Sequence, residues 1–360
     1  MSGSHERGIS HGVMEADGAY NWHAKVPAGG AQLALRFLEQ AVANITFNGP
    51  ANRIVIADYG SSQGKNSLAP MRIAIKGLRA RLGPECPIFV VHIDQAMNDF
   101  NTLFDVLHSD PDRYCSDDPN IFPSAIGRSF YENVFPQEHV DLGWSSYAAV
   151  WLSRIPALIP DHFIAHRALG RVREAFESQA ALDWQRFLAL RATELRVGGR
   201  LVVVLPGLND DGVSGFENLM DNANAVLEEM VEDGTIQSDE RKRMVLGAYP
   251  RRRSDLLVPF QPSNQFRGLT VECIDLSVLP DFAWTDYERD KNQHALAVKH
   301  AQFFRAVFIP SLACALDGRA ASDSAFADRF QDGLERRLAG QEPQPMHSFV
   351  QTIVLSKCST

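Results

Sequence analysis

Apolar positions at helical spacing run through residues 32–45 (Leu33, Leu35, Phe37, Leu38, Ala41, Val42), and Asn48, Gly49 and Pro50 stop them. Residues 53–57 then form a short β-branched run, the pattern of a buried strand that empties into a glycine loop. A helix is expected from about Ala69 to Arg81, a second buried strand over residues 88–93, and two more strands over 140–143 and 201–205. Residues 175–195 carry a long amphipathic pattern, with Gly198 and Gly199 as the expected helix stop. Strands separated by helices point to an α/β fold with a doubly wound parallel sheet. Such sheets bind ligands outside the carboxyl ends of their strands.

Beyond Leu205 the pattern changes. Phe216, Leu219, Met220, Ala223, Val226, Leu227, Met230 and Val231 fall on one helical face, and Gly234 ends it. A charge-rich segment, 232–242, follows. Residues 207–262 therefore read as a mostly helical insertion over the ligand end of the sheet. Strand patterns return near 269–274 and 349–355. The expected organisation is an α/β core of residues 14–206 with 265–360, and a helical cap of 207–264 with parts of 152–175. Residues 1–13 are small and polar, as in a frayed terminus.

Composition narrows the class. Of the 360 residues 45% are hydrophobic and 22% charged, which suits a globular domain with a sizeable core. The net charge of -9 argues against nucleic acid as a partner, because phosphate binding needs a basic surface. Arg251, Arg252 and Arg253 form a tight basic run, expected in a solvated loop. Five scattered cysteines without a CxxC pair fit a reducing compartment and no zinc site. No window approaches the roughly 18 apolar residues of a membrane helix, and the polar N-terminus has no signal-peptide core. The expectation is a soluble cytoplasmic protein.

Two acids carry candidate chemistry. Asp58 ends the first strand and is followed by Gly60, Ser61, Gly64 and Asn66, a D-x-G-x-x-x-G spacing. A dinucleotide fingerprint would be G-x-G-x-x-G, with a pyrophosphate on the helix N-terminus. The spacing here suits a ligand without a pyrophosphate, whose ammonium faces Asp58 and whose carboxylate takes backbone N–H groups or the Asn66 amide. An acid capping a tight turn would look the same. Asp94 lies beyond the second strand, placed to accept ribose hydroxyls. It stands 36 residues after Asp58, whereas the acid of a dinucleotide fold follows the glycines by about 20. A helix N-cap accounts equally well for Asp94 alone.

Taken with their neighbours, these residues resemble the salicylate, benzoate, jasmonate and theobromine methyltransferases, the SABATH family. Asp58, Gly60, Ser62, Gly64 and Asn66 match its first loop, with Ser61 in place of a cysteine and Lys65 of a proline. Asp94, Asn98, Asp99, Phe100 and Asn101 match a second motif. Ser129, Phe130, Tyr131, Phe135 and Pro136 match a third, and Ser145, Ser146, Tyr147, Trp151, Leu152 and Ser153 a fourth. Phe187, Leu188, Arg191, Ala192, Gly198, Gly199 and Arg200 complete a series that runs in order over residues 14–207.

The resemblance implies a Rossmann-like domain that binds S-adenosylmethionine, leaves S-adenosylhomocysteine as product, carries a helical cap and forms a homodimer. By position it puts the cofactor on Tyr20, Asp58, Gly60, Ser61, Asn66, Asp94, Gln95, Ser129 and Phe130, with Asp94 on the ribose and Phe130 against the adenine. It puts the substrate on Tyr147, Val150, Trp151, Pro206, Leu219 and Met220. Two features depart from the family. Its carboxylate-clamping glutamine aligns with Pro27, which has no donor; His23 and Gln32 are the nearest substitutes. The positions that bind magnesium in some members hold about His166, Lys242, Met244 and Val245, so no metal is expected.

A carboxylate, with a pKa near ~4, is ionised at neutral pH and needs no general base, whereas a phenol near ~10 does. None of the matched motifs places a histidine as a base. The expected reaction is methyl-ester formation on a small apolar carboxylic acid, aromatic (benzoate, salicylate) or fatty. Trp151 is expected to hold the carboxylate through its indole N–H. N-methylation of a heteroaromatic substrate is the nearest alternative. A nucleotide-dependent oxidoreductase and an inactive cofactor-binding protein are the others.

Overall fold

The computed structural model describes residues 25–47, 49, 52–317 and 324–359. Tyr20 and His23 lie outside them. Helix α1 (Lys25–Asn44) leads to β1 (Ile54–Tyr59), α2 (Leu68–Leu82), β2 (Ile88–Asp94), α3 (Phe100–Ser109), β3 (Ile121–Gly127) and β4 (Val140–Ser146). Then come α4 (Gly170–Glu194), β5 (Leu195–Pro206), α5 (Glu217–Glu232), α6 (Ser238–Arg243) and α7 (Arg253–Leu257). The chain ends with β6 (Gln265–Phe266), β7 (Leu269–Leu279), α8 (Phe282–Asp290), α9 (Gln293–Ala313), α10 (Ser324–Ala339) and β8 (Ser348–Lys357).

Among the described residues the strands form one sheet of order β3-β2-β1-β4-β5-β8-β7-β6. Strands β1 to β5 pair in parallel. The pairs β5–β8, β8–β7 and β7–β6 are antiparallel, so the sheet is mixed and not purely parallel. The strand order reverses at β1, between β2 and β4. That switch point opens a crevice at the strands' carboxyl ends. One face of the sheet packs on α1, α2 and α3, the other on α4 and α7.

Three local expectations change. Gly198 and Gly199 do not stop a helix: α4 ends at Glu194 and β5 begins at once. Gly198 has φ +85°, and a Cβ there would stand 2.3 Å from the Thr46 hydroxyl oxygen. Glycine thus lets β5 shift register against β4 while the chain before β1 crosses close above it. Arg251 is not solvated but 2% exposed. Its Nη1 donates to the Ala149 carbonyl at 2.7 Å and its Nη2 to the Ala180 carbonyl at 3.0 Å, tying the segment after β4 to α4. The helical layer also extends beyond 207–264. Helix α5 shares one buried cluster with α9 and α10, which had been expected in the core. Helix α9 buries residues on nearly every side, so it has no apolar stripe to betray it.

Behind the crevice lies a buried ion pair, Arg191–Glu194, 0% and 1% exposed, at 2.8 Å. The Glu194 carboxylate also accepts the Tyr59 hydroxyl at 2.8 Å and the Val134 N–H at 2.9 Å. Arg191 Nη1 donates to the Phe130 carbonyl at 2.8 Å, and the guanidinium lies 4.1 Å from the Tyr59 ring centre. Removing one partner of such a pair leaves an uncompensated buried charge. Glu194→Ala is therefore predicted to cost roughly 3 to 5 kcal/mol, measured by equilibrium chemical denaturation. A loss below about 1 kcal/mol, the scale of a surface pair, would contradict the role given to this pair.

Candidate active site

Strand β1 delivers Asp58 and Tyr59 to the crevice and turns at Gly60, φ +90°. A Cβ at Gly60 would stand 2.1 Å from the Ala148 Cβ, so only glycine lets this loop approach the segment after β4. The Gly60 and Ser61 amides donate to the Ile93 carbonyl at 2.7 and 3.2 Å, pinning the loop to the end of β2. A small pocket results, lined by Asp58, Gly60, Ser61, Ser62, Asn66 and Pro27, with Trp144 and Ser146 at its floor. The Ser61 hydroxyl is buried there without a partner among the described residues.

Asp58 is 2% exposed, and its Oδ2 is already engaged. It accepts the Ser67 hydroxyl at 2.5 Å and lies 2.8 Å from His92 Nδ1. His92 Nε2 in turn lies 2.8 Å from the Tyr114 hydroxyl. This buried relay was invisible in the sequence, where His92 sits inside a run of strand residues. Asp94 is half-buried; its two oxygens accept the Ser62 N–H at 2.7 Å and the Gln95 N–H at 2.8 Å. Burial, the largest influence, pushes its carboxyl up to about 6, against the two amides that lower it. Gln95 is exposed. Ser129 accepts the Tyr131 N–H at 3.2 Å through its hydroxyl. The Phe130 ring packs 4.7 Å from Tyr131 and edge-on to Phe187 at 6.0 Å. It also lies 3.8 Å from where a Gly60 Cβ would be, which brings it to the same loop.

A second, apolar cavity of about 100 Å³ opens beside the first. Tyr147, Val150, Trp151, Pro206 and Met220 line it, together with residues the sequence reading missed: Val26, Ile164, His166, Phe303, Val307 and Phe308. Pro27 lines both cavities and is the wall between them. It sits in the first turn of α1, where a missing N–H costs no helix bond. Leu219 does not line the cavity; it packs into the α5–α9–α10 cluster. Successive helix residues point about 100° apart, so Met220 faces the cavity and Leu219 does not. Gln32 is exposed and absent from both cavities, so it does not replace the clamp.

Trp151 is fixed from both sides. Its carbonyl accepts the Tyr131 hydroxyl at 2.7 Å, and its backbone bridges to Ala248. The indole N–H has no partner among the described residues. Tyr147 adopts φ +57°, a left-handed conformation held by its N–H to the Val204 carbonyl at 2.8 Å. Its hydroxyl lies against α1, where a Cβ at Gly30 would be 2.2 Å away. Burial holds the His166 imidazole down to about 4, so it is neutral. Lys242 pairs with Asp239 at 2.8 Å, while Met244 and Val245 are buried among apolar residues. Among the described residues no group of three or more His, Cys, Asp or Glu could hold a metal ion, and no helix is long and apolar enough to cross a membrane.

The fold and this paired-cavity site define a class. A loganic acid methyltransferase solved with S-adenosylhomocysteine superposes with a TM-score of 0.75 over 97% of this chain and 99% of that one, at 23% identity. A family model described as SAM-dependent carboxyl methyltransferase matches residues 11–358. The chain belongs to that family. The methyltransferase LUC1 of a Fusarium species is 30% identical over 250 residues, 68% of this chain and 65% of its own. A benzoic acid/salicylic acid carboxyl methyltransferase of Petunia hybrida is 29% identical over 217 residues, 56% of this chain and 60% of its own. The chain thus spans about two thirds or less of the length of these curated relatives.

The residues present fit the family's cofactor, S-adenosylmethionine. Gly60 and Gly64 keep the loop backbone bare, the buried Ser61 hydroxyl has a bond to give, and Asp58 and Asn66 line the same pocket. Asp94, joined to that loop through Ser62, would take the ribose hydroxyls. Hydroxyl donation favours the ionised carboxylate. With Asp94 in that role, affinity for S-adenosylhomocysteine would be full above the Asp94 pKa and fall as pH drops through it. With that pKa at about 6, binding should weaken about tenfold from pH 7 to pH 5, and Asp94→Asn should abolish the slope. Titration calorimetry that finds the same slope in the variant would remove Asp94 from this role.

Proposed function

We propose that the chain transfers a methyl group from S-adenosylmethionine to the carboxylate of a small apolar acid, forming a methyl ester. One observation carries the reading: an apolar cavity lined by Trp151 adjoins the glycine-loop pocket, Pro27 lining both. The cofactor, when bound, supplies a methyl group already activated on a sulfonium. The chain must then hold a nucleophile in line and keep water away. Trp151 holds one carboxylate oxygen through its indole N–H. Pro27, Val150, Pro206 and Met220 exclude water. A dry site matters because charge is neutralised as carboxylate and sulfonium react, and water stabilises the separated charges more than the transition state.

Pro27 leaves the carboxylate with one donor fewer than the family's glutamine would give. Neutral His166, with its imidazole held at about 4, is far too weak a base for a phenol near ~10. That supports a substrate ionised in advance. The aliphatic walls at Val150, Pro206 and Met220 suit a fatty or other flexible acid as well as benzoate or salicylate. The names of the relatives favour carboxylic acids: benzoic and salicylic acid in Petunia hybrida, loganic acid in Catharanthus roseus. The homodimer implied by the resemblance and the cytoplasmic setting suggested by the scattered cysteines belong to the same proposal.

The test is incubation with S-adenosylmethionine and a panel of aromatic acids, fatty acids and xanthines. Methyl esters are the expected products. Esters absent throughout, or methylation of the xanthines alone, would sink the reading. Losing a hydrogen bond to a charged group costs about 1.5 to 3 kcal/mol. Trp151→Phe should accordingly lower kcat/KM by roughly 10- to 100-fold while the affinity for S-adenosylhomocysteine stays within about twofold. An unchanged kcat/KM would take Trp151 out of the mechanism.

A further inference from the structure

We propose that His166 binds a second polar group of the substrate, a hydroxyl or carbonyl carried on its apolar body apart from the carboxylate. The acid accepted is then a hydroxy or keto acid and not a plain hydrocarbon one. The inference rests on the carboxyl-methylation reading and adds to it a second point of recognition.

His166 belongs to a single 3-10 turn, Ala165–Arg167, that packs beside the start of α5. The cavity wall around it is apolar: Ile164, Met220, Leu246, Phe303 and Val307. Its Nε2 is buried and has no hydrogen-bond partner among the described residues. In one neutral tautomer this atom donates, in the other it accepts, and in both it has one bond to offer. A hydrocarbon ligand beside this wall would leave Nε2 unmatched, whereas a hydroxyl or carbonyl would complete it. Apolar walls with a small number of placed polar groups are how a binding site fixes the orientation of an otherwise greasy ligand.

The surroundings select the kind of group. Burial keeps the imidazole uncharged; Glu217 and Asp221 push its pKa up while Arg167 and Arg173 push it down. Asp221 is taken by Arg167, whose Nε donates to it at 2.9 Å. Glu217 accepts the Ser214 hydroxyl at 2.8 Å and the Gly215 N–H at 2.8 Å and remains anionic, its pKa lowered. A second carboxylate beside His166 would meet the Glu217 charge across a neutral ring. A neutral hydroxyl or carbonyl would not. The other polar side chain on this wall, Ser214, already donates to Glu217 and accepts the Phe216 N–H at 3.2 Å. Proton removal is not its task either: moving a proton from a phenol near ~10 to an imidazole near ~4 runs about a million-fold uphill.

The test is titration calorimetry on the full chain loaded with S-adenosylhomocysteine. The ligands are straight-chain and aryl acids, each as the parent and with a hydroxyl at successive positions. One hydroxylated isomer should bind at least about tenfold tighter than its parent. In His166→Phe that ratio should collapse to within about twofold, and His166→Gln should restore part of it. Retained S-adenosylhomocysteine binding is the check of folding, and His166→Leu replaces the phenylalanine variant if that check fails. Equal binding of parent and hydroxylated acids, a ratio that survives in His166→Phe, or binding of no acid overturns the proposal. Ester formation, measured in parallel, tests the underlying reading separately. A His166-dependent preference without ester product refutes carboxyl methylation alone; ester product without the preference refutes His166 alone.

Discussion

The Arg191–Glu194 pair is the constraint on which the site depends. It lies within the last turn of α4, directly before β5, and its remaining side-chain hydrogen bonds go to Tyr59 and to the segment 130–135. Glu194 fixes Tyr59 at the end of β1, one residue before the glycine turn. It also receives the Val134 and Phe135 amides, while Arg191 takes the Phe130 carbonyl. One buried ion pair thus sets the separation between the glycine loop and the aromatic segment opposite it. Burying two charges is costly unless every remaining donor and acceptor is matched. Here the matching groups are the loops themselves, so the geometry of the crevice and the stability of the core are the same set of bonds.

Outward from that frame, the site is divided by chemistry. The pocket at the glycine loop offers a buried hydroxyl, the Asn66 amide and the Asp58 carboxylate, which suits a polar, charged cofactor. The neighbouring cavity offers mostly carbon. Pro27 separates the two, and proline suits that position because it adds apolar wall without a donor that would need satisfying. The same choice removes the family's glutamine from the carboxylate. On the proposed function, the recognition that the glutamine would supply falls to Trp151 and groups elsewhere in the cavity. Arg251 bears on this from a distance: it holds the Ala149 carbonyl, two residues before Trp151, against α4.

How much of this was legible in the sequence depended on whether the signal was local. Strands β1, β2, β4 and β5 are apolar runs bounded by turn residues, and the motifs at Asp58 and Asp94 follow them directly. The edge strand β3 escaped because it carries Pro123 and small residues, tolerated only where one side of the ladder is open. The glycines at 198 and 199 imitate a helix stop; only the distant Thr46 shows that they permit a chain crossing. Arg251 reads as surface because arginine clusters usually are, and nothing in its neighbours foretells that two carbonyls wait for it. Leu219 and Met220 share one apolar stripe, too wide to say which of the two meets the ligand. His166 was singled out only at a position that binds magnesium in some family members; no local signal places it in the cavity, which is assembled from seven separate stretches of chain.

The satisfaction of polar groups separates frame from site. Asp58, His92, Glu194, Arg191 and Arg251 are buried and bonded, several of them more than once, and together they make the frame rigid. Ser61 Oγ and His166 Nε2 are equally removed from solvent and bonded to nothing among the described residues. An unmatched atom is not by itself a site: Arg196 Nη2 is another, yet that guanidinium keeps its other N–H groups on Asp141 and Thr46. Ser61 and His166 differ from it in that each side chain lines one of the two cavities. Buried polar atoms without partners are rare in folded proteins because they cost stability. Keeping two of them beside the two cavities is stabilising only when ligands complete them, which makes the cavities' contents part of the structure that this chain encodes.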